Sequence, residues 1–452
     1  MSDPVLLSRI QFALTVGFHF IFPPITIGLA WLLVIVEWRG WKNNDETWVR
    51  IAKFFAKILA LTFAVGTATG IVMEFQFGTN WADYSKFVGD IFGAPLAAEG
   101  VFAFFLESGF LGLYLFGRNR VSKGAHWFSS LMVAVGATIS AFWILVANSW
   151  QQTPAGFVVR NGRAELTSFR QAVFNASTLP RVLHTVDAAL IAGAFVMAGV
   201  SAYLILKNKE TEAAKRAMRL AVTFGLIVAL LEVFPFGHIS GQQVAKTQPE
   251  KFAAIQGLYA TEKGAPIVFF AYPTTPPPTL KAKVEVPGLL SWLAFGDVHA
   301  TVQGLNEFPA NEIPPLWVTF VSYHNMVLLG MYFILVTLVG FIQIWRGKLW
   351  ENRGLLKLFV WSMPLPLIAC QFGWSAAEVG RQPWVVYHVM RTSDAVSKSV
   401  AKEALIFSLF LFGSIYLLLG SLYLFLFLRE MNHGPEPESA QGAAVKPEEV
   451  FA

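Results

Sequence analysis

Apolar runs of about twenty residues, separated by short polar stretches, recur along the whole chain. A hydrocarbon core of ~30 Å needs about twenty consecutive apolar residues in helical form, so each run predicts a membrane-crossing helix. Nine such spans fall at roughly 12–37, 52–75, 95–117, 126–148, 183–206, 217–237, 316–344, 357–376 and 404–428. The first shows no small-residue cleavage pattern and continues past Trp31, which predicts a retained span rather than a removed signal peptide. The expected fold is an all-α polytopic membrane protein of about nine transmembrane helices. It divides into helices 1–6 over 1–237, a large polar loop over 238–315, helices 7–9 over 316–430, and a tail over 431–452. Within the loop, the strip from Pro273 to Pro278 is expected to be extended and solvated. The tail, rich in Pro, Glu and Ala, is expected to be disordered.

Charge adds an orientation. Four alternate connections carry the short-loop Lys and Arg residues: Arg39 to Lys53, Arg118 to Lys123, Lys207 to Arg219, and Arg346 to Lys357. Cytoplasmic loops collect such residues, so the N-terminus is expected outside and the C-terminus in the cytoplasm. The net charge of +5 then reflects topology, and nucleic acid is not an expected partner. With 55% hydrophobic, 15% aromatic and 14% charged residues, a soluble globular chain is excluded. Cys370 is the only cysteine, which excludes an internal disulfide, a Cys-ligated iron–sulfur cluster and a C-x-x-C-H haem attachment. Any redox cofactor must be held by His, Met or carboxylate.

Polar residues inside the spans carry the chemistry. His19 lies in span 1, Glu99 at the outer start of span 3, and His184 opens span 5 with Asp187 one turn further in. His324 and Met326 sit near the start of span 7, and Glu378 closes span 8 within GWSAAEVGRQPW, three residues before Arg381. Each has a plain explanation. A histidine at a span end is ordinarily an interfacial hydrogen-bonder, and a methionine among Val, Leu and Gly is ordinarily packing. Glu99 could cap a helix start, and Glu378 could simply pair with Arg381. Potential ligands from five spans nevertheless share one level, the outer third of the membrane. With no cysteine alternative, that clustering favours haem: His with Met makes a six-coordinate centre, whereas one axial ligand leaves an iron position open.

The chain resembles subunit I of the cytochrome bd family of quinol oxidases over essentially residues 1–430. The resemblance rests on SRIQFALTVGFHFIFPPITIG with His19, AAEGVFAFFLES with Glu99 and Glu107, NSWQQTPAG, RVLHTVDAAL with His184, on Met326, and on GWSAAEVGRQPW. It implies a terminal oxidase that oxidises quinol at the outer face and reduces O2 to water. His184 and Met326 would ligate a low-spin haem b, while His19, Glu378 and Glu99 would serve a high-spin haem b and a haem d, or a haem b in its place. Trp374 would lie between haems, and Arg381 and Trp384 would hold propionates or pack on the macrocycle. Partners would be a second membrane subunit (subunit II), often a small single-span one, and membrane lipid, in the bacterial cytoplasmic (inner) membrane.

Residues 238–315 correspond to the family's quinol-binding loop, with Lys251 matching a residue linked to quinol oxidation. Five positions on, where a glutamate is often found, this chain has Gln256, and His324 stands where some members carry an arginine. These departures point to the short-loop, cyanide-insensitive-type branch. They leave the quinol proton to water, to Glu250 or to another loop residue.

Quinol oxidised outside releases its protons outside, so the protons that make water must cross from the cytoplasm, without a pump. Glu107 lies eight residues beyond Glu99 on span 3, ~12 Å deeper at 1.5 Å per residue. With Ser108 and Ser140 it forms the expected relay, since two carboxylates amid Phe102, Phe104 and Phe105 are costly unless hydrated or protonated. The alternative reading is a proton-coupled transporter, weakened by the lack of internal repeats. A di-haem cytochrome b would want paired histidines on facing helices, which are not evident.

Overall fold

The structure, a computed structural model, describes residues 3–209, 211–274 and 279–436. The tail beyond 436 and the prolines at 276–278 fall outside the described residues. Nine long apolar helices are present among the described residues: Pro4–Asn43, Glu46–Thr79, Ala82–Phe116, Lys123–Gln152, Thr178–Leu206, Thr211–Thr247, Leu316–Trp345, Arg353–Val379 and Lys402–His433. These are spans 1 to 9 below. Most run past the ends that the apolar runs predict, span 3 by thirteen residues at its start; span 3 stops at Phe116 and span 7 begins at Leu316. Helices end where caps and turns stop them, whereas apolar runs mark only the lipid-facing part. Span 6 goes furthest at its end, with His238–Thr247 helical where the polar loop is expected to begin.

Short connections are built by local signals. Asn44, in the left-handed region at φ 49°, turns span 1 into span 2. Asp45 then caps span 2 by accepting from the Thr47 backbone N–H at 2.9 Å. Burial and the hydrogen bond from Arg216 act on its carboxyl in opposite senses, and the net shift is downward. Ser122 caps span 4 in the same way, accepting from Ala125 N–H.

Four spans are broken among the described residues, each beside a proline, span 8 at Met363–Pro364 between Arg353–Ser362 and Leu365–Val379. Span 1 is interrupted at Phe20–Ile21, directly after His19, because Pro23 and Pro24 remove N–H donors and clash with the carbonyls four residues back. Span 3 widens to a π-helix over Glu99–Phe104, following Pro95. Span 6 does the same over Glu232–Gly237, which contains Pro235. Such π segments recur at functional sites.

The main core lies where spans 1, 2, 5 and 6 pack, around Leu29, Leu33, Ile58, Phe195 and Met218. A second core joins the start of span 3 to the end of span 4 and to the connection after span 8, through Trp81, Tyr84, Trp150 and Val386. The longer connections add small antiparallel pairs, Phe157–Arg160 with Arg163–Leu166, Ile267–Thr274 with Thr279–Val286, and Trp384–Val386 with Met390–Arg391. These connections emerge at the end of the bundle that carries the N-terminus.

Candidate functional site

A cavity of about 1950 Å³ opens at that end, and the breaks in spans 1, 3 and 6 border it. Ordinary small-molecule pockets reach ~1,000 Å³, so this one has room for more than one large group. His19, Glu99, His184, Met326 and Glu378 all line it, as do Glu107, Lys251, Trp374 and Arg381. Trp384 is not on the wall; its ring lies under the Arg391 guanidinium, 4.9 Å away.

The two ligand-like histidines are held alike. His19 Nδ1 lies 3.0 Å from the Thr69 hydroxyl, which itself donates to the Val65 and Gly66 carbonyls. With its proton so committed, Thr69 accepts from Nδ1–H, and Nε2 keeps a free lone pair. A side chain at Gly70 would touch the ring at 3.2 Å. His184 Nδ1 lies 3.0 Å from Glu232 Oε1, the first residue of the span 6 π segment. Its Nε2 is left free in the same way. A carboxylate or hydroxyl behind an imidazole is how proteins orient metal-binding histidines. Met326 sits in a notch on span 8: a Cβ on Gly373 would come within 2.9 Å of its sulfur.

His324 is different. Its Nδ1 and Nε2 each lie 2.9 Å from a backbone carbonyl, of Phe320 and Val268. Both nitrogens are turned to backbone carbonyls, so His324 ties span 7 to the strand Ile267–Thr274 and does not line the cavity.

The carboxylates also have distinct settings. Glu99 accepts from the Ser140 hydroxyl at 2.7 Å. Glu107 is buried, and Gly136 of span 4 packs so close that a Cβ there would sit 3.0 Å from the Glu107 backbone nitrogen. Glu378 accepts from Asn148 at 2.9 Å and Gln152 at 3.3 Å, and its second oxygen pairs with Arg381. Arg381 donates onward to Gln151 and to the Trp384 carbonyl, at 3.3 Å each. Lys251 is buried in the helix Pro249–Gln256 and donates to Gln152 Oε1 and the Ala377 carbonyl, both at 2.9 Å. Burial, with repulsion from Arg181 and Arg381 only partly offset by Glu378, drives its amine well below the usual lysine range. Glu250 turns instead to Tyr387 and His388.

Three further residues at the cavity stand apart from those the sequence singles out. Glu74 lines the cavity on span 2, Arg181 stands one turn before His184, and Glu232 backs its ring. Arg181 and Glu232 each keep a buried polar atom, Nε and Oε2, without a protein partner, as does Asp187 Oδ2. Buried polar atoms are nearly always satisfied. The Arg181 Nε–H, with two imidazole lone pairs and a thioether around the same cavity, fits haem, whose propionates and iron would complete them. A pattern signal existed only for Arg181, which sits on the same helical face as His184.

Lone-pair donors converging on a cofactor-sized space inside a nine-span bundle define a membrane protein built around redox groups. Residues 7–435 match the model of the family described as cytochrome bd terminal oxidase subunit I. The chain is 40% identical to cytochrome bd ubiquinol oxidase subunit 1 of Bacillus subtilis, covering 97% of this chain and 96% of that one. It is 34% identical to cytochrome bd-II ubiquinol oxidase subunit 1 of Escherichia coli, over 98% and 100%. Among solved structures, the bd oxidase from Geobacillus thermodenitrificans superposes with a TM-score of 0.91 at 31% identity, covering 96% of this chain and 99% of that chain.

The chain belongs to the cytochrome bd terminal oxidase subunit I family. It is therefore a quinol oxidase subunit of a bacterial respiratory chain, a multi-pass inner-membrane protein that uses haem and works beside a subunit II. That membership sets aside the transporter and the electron-relaying cytochrome b.

Proposed function

We propose that the cavity holds the oxidase's haems, with His184 and Met326 as ligands of a low-spin haem b. His19, Glu378 and Glu99 then serve a high-spin haem b and a haem d, or a second haem b in its place. When bound, these groups supply electron transfer and the chemistry of oxygen reduction. The observation that carries this reading is the pair of imidazoles, each with Nδ1 3.0 Å from a protein oxygen and Nε2 left for a metal. Arg181 and Arg381 supply the positive charge that propionates need, with Trp374 on the wall between. Trp384 acts through Arg381, which its carbonyl helps to hold.

The Lys and Arg loops orient the N-terminal end outward. Quinol is then oxidised near Lys251, in the loop 238–315, at the outer face. A lysine whose amine is shifted well below its usual range exchanges a proton more readily and can take one up as quinol loses it. Gln256 cannot accept that proton, and Glu250 faces Tyr387 and His388, so water carries it away. Protons for oxygen reduction arrive from the cytoplasmic side through Glu107, Ser140 and Glu99, the last two already hydrogen-bonded. No step pumps protons; the oxidase is electrogenic because the two proton movements occur on opposite sides. Subunit II covers the exposed apolar faces, and some assemblies add a small single-span subunit.

The test is the reduced-minus-oxidised spectrum of the isolated complex. The expected result is a low-spin haem b band that disappears in His184→Ala, with a carbon-monoxide-sensitive band retained. A low-spin band untouched by that substitution overturns the ligand assignment.

A further inference from the structure

A second cluster lies outside the cavity, on the N-terminal end of the bundle. Glu250 from the helix Pro249–Gln256, Glu312 from the connection into span 7, and His388 from the turn after Trp384–Val386 bring one ligand atom each within 4.8 Å of one another. Glu250 is 6% exposed, yet among the described residues no Lys or Arg ion-pairs with it; its ionic partner is the His388 ring, Nε2 to Oε1 at 3.0 Å. Its other oxygen accepts from the Tyr387 hydroxyl. That hydrogen bond fixes the carboxylate from the side away from His388. The His388 ring is stacked on Tyr387, with centroids 4.1 Å apart. Arg391 reaches Glu312 only at 3.9 Å. Two carboxylates, one of them buried, thus converge on a single imidazole, with one guanidinium at the edge of the cluster.

We propose that Glu250, Glu312 and His388 form a site for a divalent transition-metal ion of the Zn²⁺ class. Tetrahedral zinc bonds of ~2.0–2.2 Å place ligand atoms ~3.3–3.6 Å apart, so a cluster spread over 4.8 Å closes by a little over ~1 Å to hold the ion. One imidazole with two carboxylates suits zinc, copper or nickel. Calcium wants six to eight oxygens and magnesium an oxygen octahedron, which this set does not provide. The Tyr387 hydroxyl takes the place of the outer hydrogen bond that metal-binding carboxylates usually receive. The ion would fasten the helix that carries Lys251 to the turn that follows Arg381, joining three chain segments at one point. The site stands independently of the haem assignment, because none of its ligands touches the cavity wall.

The test is titration of the isolated, chelator-treated oxidase complex with Zn²⁺ by calorimetry, paired with zinc-edge X-ray absorption. Two variants are compared with the parent, Glu312→Gln and His388→Gly. Glycine suits the second because His388 holds φ at +54°, where a glycine backbone is unstrained. The expected result is one high-affinity ion bound by the parent, at least tenfold weaker binding in each variant, and loss of imidazole scattering in His388→Gly. Unchanged haem absorption verifies that each variant is folded. Parent and variant titrations that superimpose overturn the site, and equal displacement by Ca²⁺ overturns the metal class.

Discussion

Spans 1 and 5 each pass through two worlds, and their halves differ in how burial is made stable. In the half away from the cavity, Gly28 and Gly193 let the two backbones touch: a Cβ on Gly28 would lie 2.2 Å from the Ala189 carbonyl. The one buried carboxylate there on span 1, Glu37, is bracketed by the Arg118 guanidinium and by His126, 3.6 Å away. In the cavity half, Glu232 holds one oxygen on His184 and leaves the other buried without a partner. The same residue type is complete in one half and incomplete in the other. The difference teaches that the far half supports the fold and the near half waits for something.

Gly28→Val breaks the comparison most severely. It drives a branched side chain into backbone that cannot retreat, and overpacking of that kind costs ~1–3 kcal/mol or more. The expected outcome is loss of assembled protein from the membrane, measured as haem-containing complex per mg of membrane protein. A normal yield would show that the far half is not the support. His184→Ala should do the opposite, with assembly kept but the low-spin band gone and quinol oxidation reduced by roughly 100-fold, on the scale seen when metal-site residues are altered. Glu107→Gln comes next. It keeps shape and hydrogen bonding but cannot carry a proton, so oxygen reduction should slow by ~10²-fold with haem content intact. Turnover at the parent rate would remove Glu107 from the proton route.

Much of this was legible in the chain. Nine apolar runs become nine long helices because lipid leaves the backbone no other solution. The motif residues His19, Glu99, His184, Met326 and Glu378 do reach one cavity, since the spans that carry them enter from the same end. What stayed hidden depended on pairing between distant segments. Glu232 looks like one more glutamate in an apolar run until the π segment turns it behind His184. His324 looks as ligand-like as His184, and only its contact with the Val268 carbonyl, fifty-six residues away, shows that its second nitrogen is turned to backbone. The helix breaks were partly readable, because Pro23, Pro24, Pro95, Pro235 and Pro364 each sit at or beside one. Whether the break becomes a kink or a π turn is decided by neighbouring spans.

The smallest effect sharpens the comparison through Lys251, which belongs to the incomplete half. Its amine in the folded protein titrates well below the ordinary lysine range, so between that depressed value and ~10.5 the unfolded chain binds the extra proton. Stability must therefore rise with pH across that window, by at most ~1.4 kcal/mol per pH unit, and level off once the unfolded lysine also loses its proton. Lys251→Met replaces the side chain with an apolar one of similar length and removes the contribution. Thermal unfolding of the complex, followed by haem release between pH 7 and 10, should show a parent midpoint that gains on the variant as pH increases. Two curves that stay parallel would mean that Lys251 keeps its charge in the fold, and with it the claim that the cavity half bears a burial cost would lose its clearest measure.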